Sequence, residues 1–200
     1  MASPDDRRAD DLWPDVPRVS FGPGEPAYLN ASLTSVLGSQ ETGMQAHVVG
    51  YSRAAQALFM HSTTCSRMGP DYVVFPLASL WRRYVELALK QIIALGHCLN
   101  QESPYNEVAH NRLMDLWNAA TPYIVEHCSA ETPEMSNVPT TLEELERIDS
   151  YACGFRHPPR VITDPPKPVN LKVLQEAMLA LWFFLDAVHT CQSIALDDPT

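Results

Sequence analysis

Apolar and small side chains recur at helical spacing over four long stretches of the chain. The first stretch, residues 44 to 67, repeats at intervals of three, four and seven and predicts an amphipathic helix. A second helix is predicted over residues 76 to 99, because Pro76 in a first turn would cost no helical hydrogen bond. Apolar residues cover most of the circumference of this second helix. We therefore expect it to be the central helix of a bundle.

Three further helices are predicted in the second half of the chain. Residues 106 to 127 show the helical repeat, and Pro122 within them indicates a bend or a break. A short fourth helix is predicted to begin at Thr141, because Thr141 and Glu144 have the spacing of a capping box. The last helix is predicted to begin at Asn170, a favourable N-cap residue that an apolar repeat follows.

Two segments lack the helical repeat. Residues 1 to 43 are acidic and rich in proline, which predicts an irregular N-terminal arm. Residues 155 to 168 contain too many prolines for a helix and predict an extended connection. The pattern as a whole predicts an all-α fold, with an antiparallel bundle of four long helices and a short one over residues 44 to 195.

Composition narrows the setting in which this domain works. A formal net charge of −10 does not favour binding to RNA or to an anionic membrane. Five widely spaced cysteines without a Cys-x-x-Cys pair favour free thiols in a reducing cytoplasm over a disulfide framework or a zinc site. The sequence has no apolar run long enough to cross a bilayer and no secretory signal. We expect a soluble cytoplasmic protein with no metal and no cofactor.

Three short motifs follow one another along the predicted bundle. Residues 75 to 90 read Phe-Pro-Leu-Ala-Ser-Leu-Trp-Arg-Arg-Tyr-Val-Glu-Leu-Ala-Leu-Lys, Trp117 ends a Leu-Trp pair five residues before a proline, and residues 155 to 158 read Phe-Arg-His-Pro. Over about residues 45 to 190 the chain thus resembles bacterial HEPN-like helical proteins. The resemblance implies a helical bundle, dimerisation through helices, and a setting of RNA cleavage, toxin–antitoxin pairs or phage defence.

The family's ribonuclease site is not reproduced in this sequence. HEPN ribonucleases use an arginine and a closely spaced histidine on one helical face, and the chain has no such pair. Arg83 and Asn111 stand where the family has histidines. If the chain cleaves RNA, the resemblance and the positions of basic and acidic residues leave six catalytic candidates: Arg82, Arg83, Glu86, His110, Arg156 and His157.

A charged stripe is predicted on the otherwise apolar second helix, where Arg82, Glu86 and Lys90 are spaced four residues apart. The stripe can be a solvent-exposed edge with weak ion pairs. It can also be a partly buried network in which Glu86 holds an arginine and is joined by Arg156 and His110. A catalytic or phosphate-binding cleft made of the same residues is the third interpretation.

The last helix has apolar residues on two sides. One side suffices to dock the helix on the bundle, which leaves Leu179, Trp182 and Phe183 to form an interface, most simply with a second copy of the chain. We expect a noncatalytic or conditionally active HEPN-like interaction module, acting as a homodimer or within a bacterial phage-defence or toxin–antitoxin assembly. The alternative is a metal-independent ribonuclease with a non-standard active site.

Overall fold

Five α-helices make up nearly all of the residues that the structure, a computed structural model, describes: 41–64, 69–102, 112–128, 133–148 and 168–197. No strand occurs among these residues, which confirms the all-α helical bundle. The predicted arm up to residue 40 and the connection up to residue 167 lie outside them. None of the described helices combines the length and apolarity that a membrane crossing requires. The helices are α1 (Glu41–Thr64), α2 (Pro70–Leu99), α3 (Leu113–Cys128), α4 (Pro133–Ile148) and α5 (Leu171–Asp197).

The second helix, α2, is central, as its all-round apolarity predicted. It contacts each of the other four helices, and it buries Trp81, Tyr84 and Leu89 almost completely. Burial of a large apolar side chain of this kind stabilises the fold by about 1.5 to 3 kcal/mol relative to exposure. A side chain on almost any side of α2 is therefore a core position.

The start of α2 differs from its prediction. The helix begins at Pro70, after Gly69 in an extended conformation, so Pro76 lies inside the helix and not in its first turn. An internal proline removes one helical hydrogen bond. Burial offsets this loss, because Val73 and Leu77 are 1% and 0% exposed on either side of it. The prediction of a start at Pro76 was wrong because a favourable local signal for a first turn lay within a longer buried face.

The fourth helix is longer than its sequence signals suggested. It begins at Pro133, eight residues before the predicted capping box, and equals α3 in length at 16 residues. Thr141 is therefore inside the helix, where its hydroxyl donates to the carbonyl of Asn137 at 3.1 Å. Val138, Leu142 and Leu145 are buried at spacings of four and three residues, and this apolar face supports the additional turns. The predicted cap at Thr141 was wrong.

The first residues of α3 and α5 are held by side-chain acceptors. Glu146 of α4 accepts a hydrogen bond from the backbone N–H of Leu113 at 2.5 Å, at the described start of α3. For α5, the prediction of Asn170 as the N-cap is confirmed, because its side-chain oxygen accepts from the N–H groups of Lys172 and Val173 at 3.0 and 3.2 Å. The proline predicted to bend or break the third helix, Pro122, lies within α3.

Candidate functional site

Three cationic side chains of α2 converge on Glu86. One carboxylate oxygen of Glu86 lies 2.8 Å from Nη1 of Arg83 and 3.1 Å from Nζ of Lys90. Nη1 of Arg82 lies 3.9 Å from the other oxygen. Spacings of three and four residues place all four side chains on one side of the helix. We call these four residues the Glu86 cluster.

The inner part of the Glu86 cluster is withdrawn from water. Glu86 and Lys90 are each 8% exposed, whereas Arg82 and Arg83 are half-buried. Of the three interpretations of the stripe, a fully solvent-exposed edge does not describe Glu86 and Lys90. Among the described residues the geometry matches a partly buried ion network, in which a charged group is tolerated because it is paired.

Glu86 keeps its negative charge in this setting. Burial alone would raise the pKa of Glu86, but hydrogen bonds from Lys90 and Arg83 outweigh burial and hold the pKa below its ordinary value of 4.5. Burial would likewise lower the pKa of Arg83, and hydrogen bonds to Glu86 and Tyr51 raise it above its ordinary value. At neutral pH the cluster therefore has no carboxylic acid proton to donate, and its carboxylate is already engaged.

The remaining catalytic candidates, His110, Arg156 and His157, lie outside the described residues. The structure thus brings together Arg82, Arg83 and Glu86. Whether the other three join them stays a prediction.

A cavity of about 350 Å³ lies between α1, α2 and α5. Its apolar lining includes Val48, Ala88, Trp182 and Leu185. Two charged residues, Arg53 of α1 and Asp186 of α5, also line the cavity. The other polar residues that line it are Gln45, Ser52, Gln56, Tyr84, Gln91 and His189.

Two hydrogen bonds in the cavity wall involve His189 and Tyr84. The side-chain nitrogen of Gln91 lies 2.9 Å from Nε2 of His189, and since an amide nitrogen only donates, the imidazole nitrogen accepts. Burial, and then the charge of Asp186, raise the pKa of Tyr84 far above its ordinary value, so its phenol is neutral. That hydroxyl donates to the backbone carbonyl of Trp182 at 3.5 Å.

One buried acceptor in the cavity lining is unsatisfied. The side-chain oxygen of Gln45 is inaccessible to solvent and has no hydrogen-bond partner among the described residues. A buried polar atom ordinarily has a partner. The oxygen of Gln45 is therefore an unsatisfied acceptor that a molecule in the cavity does not contact.

The three residues predicted to form an interface on α5 are not equivalent. Phe183 is 64% exposed, whereas Leu179 and Trp182 are half-buried and pack against the core. The rings of Trp182 and Phe183 are in contact, with centroids 4.6 Å apart. Leu179 and Trp182 thus have packing contacts within the chain that the sequence did not indicate. Of the three residues, only Phe183 has a mostly exposed side chain.

Protein-family models, curated proteins and solved structures give no match to this chain. The HEPN-like resemblance is therefore supported by its sequence motifs alone.

Two of the predicted free thiols meet where α3 ends against α5. Cys128 and Cys191 are hydrogen bonded, and burial together with this neighbour raises the pKa of Cys128 to about 12. Cys128 also donates to the carbonyl of Val188 at 3.8 Å. No group of three or more histidine, cysteine or carboxylate residues is placed to hold a metal in the described part of the protein. Cys128 is thus a protonated packing group, not a reactive thiolate.

Sequence reasoning identified the Glu86 cluster but missed the cavity. The only signal for the cavity was polar residues on predicted apolar faces: Gln45, Ser52 and Gln56 fall on one side of α1, and Gln91 interrupts an otherwise apolar part of α2. A buried glutamine at such a position indicates either a hydrogen bond within the core or a cavity wall.

Proposed function

We propose that the protein is a helical interaction module that acts by protein contact, as a homodimer formed through α5. In the setting implied by the HEPN-like resemblance, this dimer is part of a bacterial phage-defence or toxin–antitoxin assembly. The observation that carries the proposal is the exposed aromatic side chain of Phe183 on the outer side of α5.

Phe183 belongs to an exposed apolar stripe that is interrupted by Glu176 and Thr190. The exposed apolar residues of α5 recur at three, four and seven positions, so that they follow one side of the helix for about 30 Å, at about 1.5 Å per residue. We call this surface the α5 stripe; it consists of Val173, Ala180, Phe183, Ala187, Cys191 and Ile194.

The composition of the α5 stripe suits pairing with a second copy. Ala180 and Ala187 flank Phe183, and small residues allow two helices to approach closely. In a two-fold pair the same surface serves both partners, so an antiparallel arrangement can place each Phe183 over the alanines of the other helix. Burial of each phenylalanine would stabilise the pair by roughly 1.5 to 3 kcal/mol.

The Glu86 cluster supports a noncatalytic role. Its carboxylate is held by hydrogen bonds from Arg83 and Lys90, with Arg82 close by. A carboxylate that is engaged in this way stabilises the helix and its neighbours, and its lowered pKa makes it a weaker proton acceptor.

Phe183→Glu tests the proposed dimer. Light scattering of the full chain at micromolar concentration should give a dimer for the wild type and a monomer for Phe183→Glu, because each new carboxylate would be buried without a counter-ion against the alanines of the other helix. Met60→Glu is the matched control: Met60 is 67% exposed on α1, away from the stripe, and the variant should remain a dimer. Circular dichroism checks that all three proteins are folded. A monomeric wild type, or a dimeric Phe183→Glu, would contradict the proposal.

RNA cleavage distinguishes the ribonuclease alternative. Purified protein should leave a labelled RNA intact without added metal. Cleavage by the wild type that is lost in Arg156→Ala would overturn the noncatalytic assignment and favour the non-standard ribonuclease.

A further inference from the structure

The cavity between α1, α2 and α5 has the size and the mixed lining of a small-molecule site. Its volume of about 350 Å³ is at the lower end of the range for such sites, about 300 to 1,000 Å³. Apolar side chains from all three helices form part of its wall, including Val48, Ala88 and Leu185. Self-association through the α5 stripe makes no use of these residues.

Two opposite charges line the same cavity from different helices. Arg53 of α1 and Asp186 of α5 are both exposed, and neither forms an ion pair within the described residues. Their charged atoms also lie too far apart to form an ion pair with each other. One positive and one negative group favour a ligand that carries both charges over a phosphate, which would need an excess of cations.

The cavity also has an apolar wall. The indole of Trp182 and the apolar groups beside it offer contact for a hydrocarbon side chain. The lining thus combines an anion-binding group, a cation-binding group and an apolar wall.

We propose that this cavity binds a free α-amino acid with an apolar side chain. The carboxylate of the ligand pairs with Arg53, and its ammonium group pairs with Asp186. Its side chain packs against Ala88 and Trp182. This site shares no residue with the α5 stripe, and Trp182 of the site contacts Phe183 of the stripe.

Leucine and two of its analogues test the assignment by calorimetry on the full chain. The wild type should bind leucine at least about tenfold more tightly than 4-methylpentanoate, which lacks the ammonium group, or isoamylamine, which lacks the carboxylate. Arg53→Gln should weaken leucine about tenfold and leave isoamylamine unchanged. Asp186→Asn should weaken leucine by a similar factor and leave 4-methylpentanoate unchanged.

Matched controls separate the site from general charge effects. Lys172→Gln and Glu176→Gln remove an exposed ion pair elsewhere on α5, whose atoms are 3.8 Å apart, and both should bind leucine as the wild type does. Ala88→Leu, which fills the cavity, should abolish leucine binding while the helical signal is retained. Absence of binding by leucine and phenylalanine at millimolar concentration, or unchanged leucine binding in Arg53→Gln and Asp186→Asn, would overturn the proposal.

Discussion

At the scale of single residues, we expect Glu86 to stabilise the fold, since two cations share it as an acceptor in a nearly dry environment. Glu86→Gln keeps the shape of the side chain but leaves Lys90 charged without its counter-ion. We expect the free energy of unfolding at neutral pH to fall by about 3 kcal/mol, measured by urea denaturation. Glu144→Gln is the control: Glu144 pairs with Arg147 on an exposed surface of α4, and its loss should cost less than about 1 kcal/mol. Equal effects of the two substitutions would show that the Glu86 cluster is not effectively buried.

The same residue makes stability depend on pH in a definite direction. The pKa of Glu86 in the folded protein is below its ordinary value of 4.5, so the unfolded chain binds the proton more readily. The ionised carboxylate therefore contributes its full stability above pH 4.5, and this contribution is lost as the pH falls through the folded-state pKa. Urea denaturation from about pH 7 down to about pH 3 should show a smaller acid loss for Glu86→Gln than for the wild type. Parallel pH profiles for the two proteins would rule out this contribution.

At the scale of helices, a glycine sets how closely α2 and α3 approach. A β-carbon at Gly96 would lie 2.3 Å from the ring of Tyr123, a distance that packed atoms do not tolerate. Gly96→Ala should lower the free energy of unfolding by about 1 to 3 kcal/mol, because the two helices have to separate. Gly50→Ala on α1 is the matched control: no atom lies within 4 Å of its added carbon, and better helix propensity should raise stability by about 0.5 to 1 kcal/mol. Thermal unfolding followed by circular dichroism compares both with the wild type, and a stabilised Gly96→Ala would contradict the close approach.

Sequence patterns predicted which segments are helical better than where the helices begin. The cap at Asn170 was predictable because a single side chain forms it locally. The starts of α2 and α4 were missed because Pro76 and Thr141 provide helix-start signals within faces that tertiary packing extends. For the sites the distinction is the same: the Glu86 cluster follows from spacing along one helix, whereas the cavity requires α1 and α5 to be brought together around α2.

At the scale of the whole molecule, stability should be highest in α2, because it contacts all of the other described helices. Its buried amides can exchange with solvent only when the whole bundle opens. Hydrogen exchange followed by mass spectrometry should therefore find the slowest amides around Trp81 and Leu89 of α2. Peptides from α4, whose outer face is exposed at Glu143 and Glu144, should exchange faster. Comparable rates in α2 and α4 would show that the bundle opens in one step.

The separation in sequence between α2 and α5 has a consequence for the synthesis of the protein. Trp81 of α2 donates to Gln175 of α5 at 3.0 Å, and the two residues are 94 positions apart along the chain. A ribosome adds about 5 to 20 residues per second, so roughly 5 to 20 s pass after Trp81 is made before its α5 partner is available. During that interval the nascent chain exposes apolar side chains of α2 that α5 covers in the folded protein. Chaperones that bind exposed apolar segments on the ribosome therefore have a defined target in α2, and synonymous codons that slow translation between α2 and α5 would lengthen their access to it.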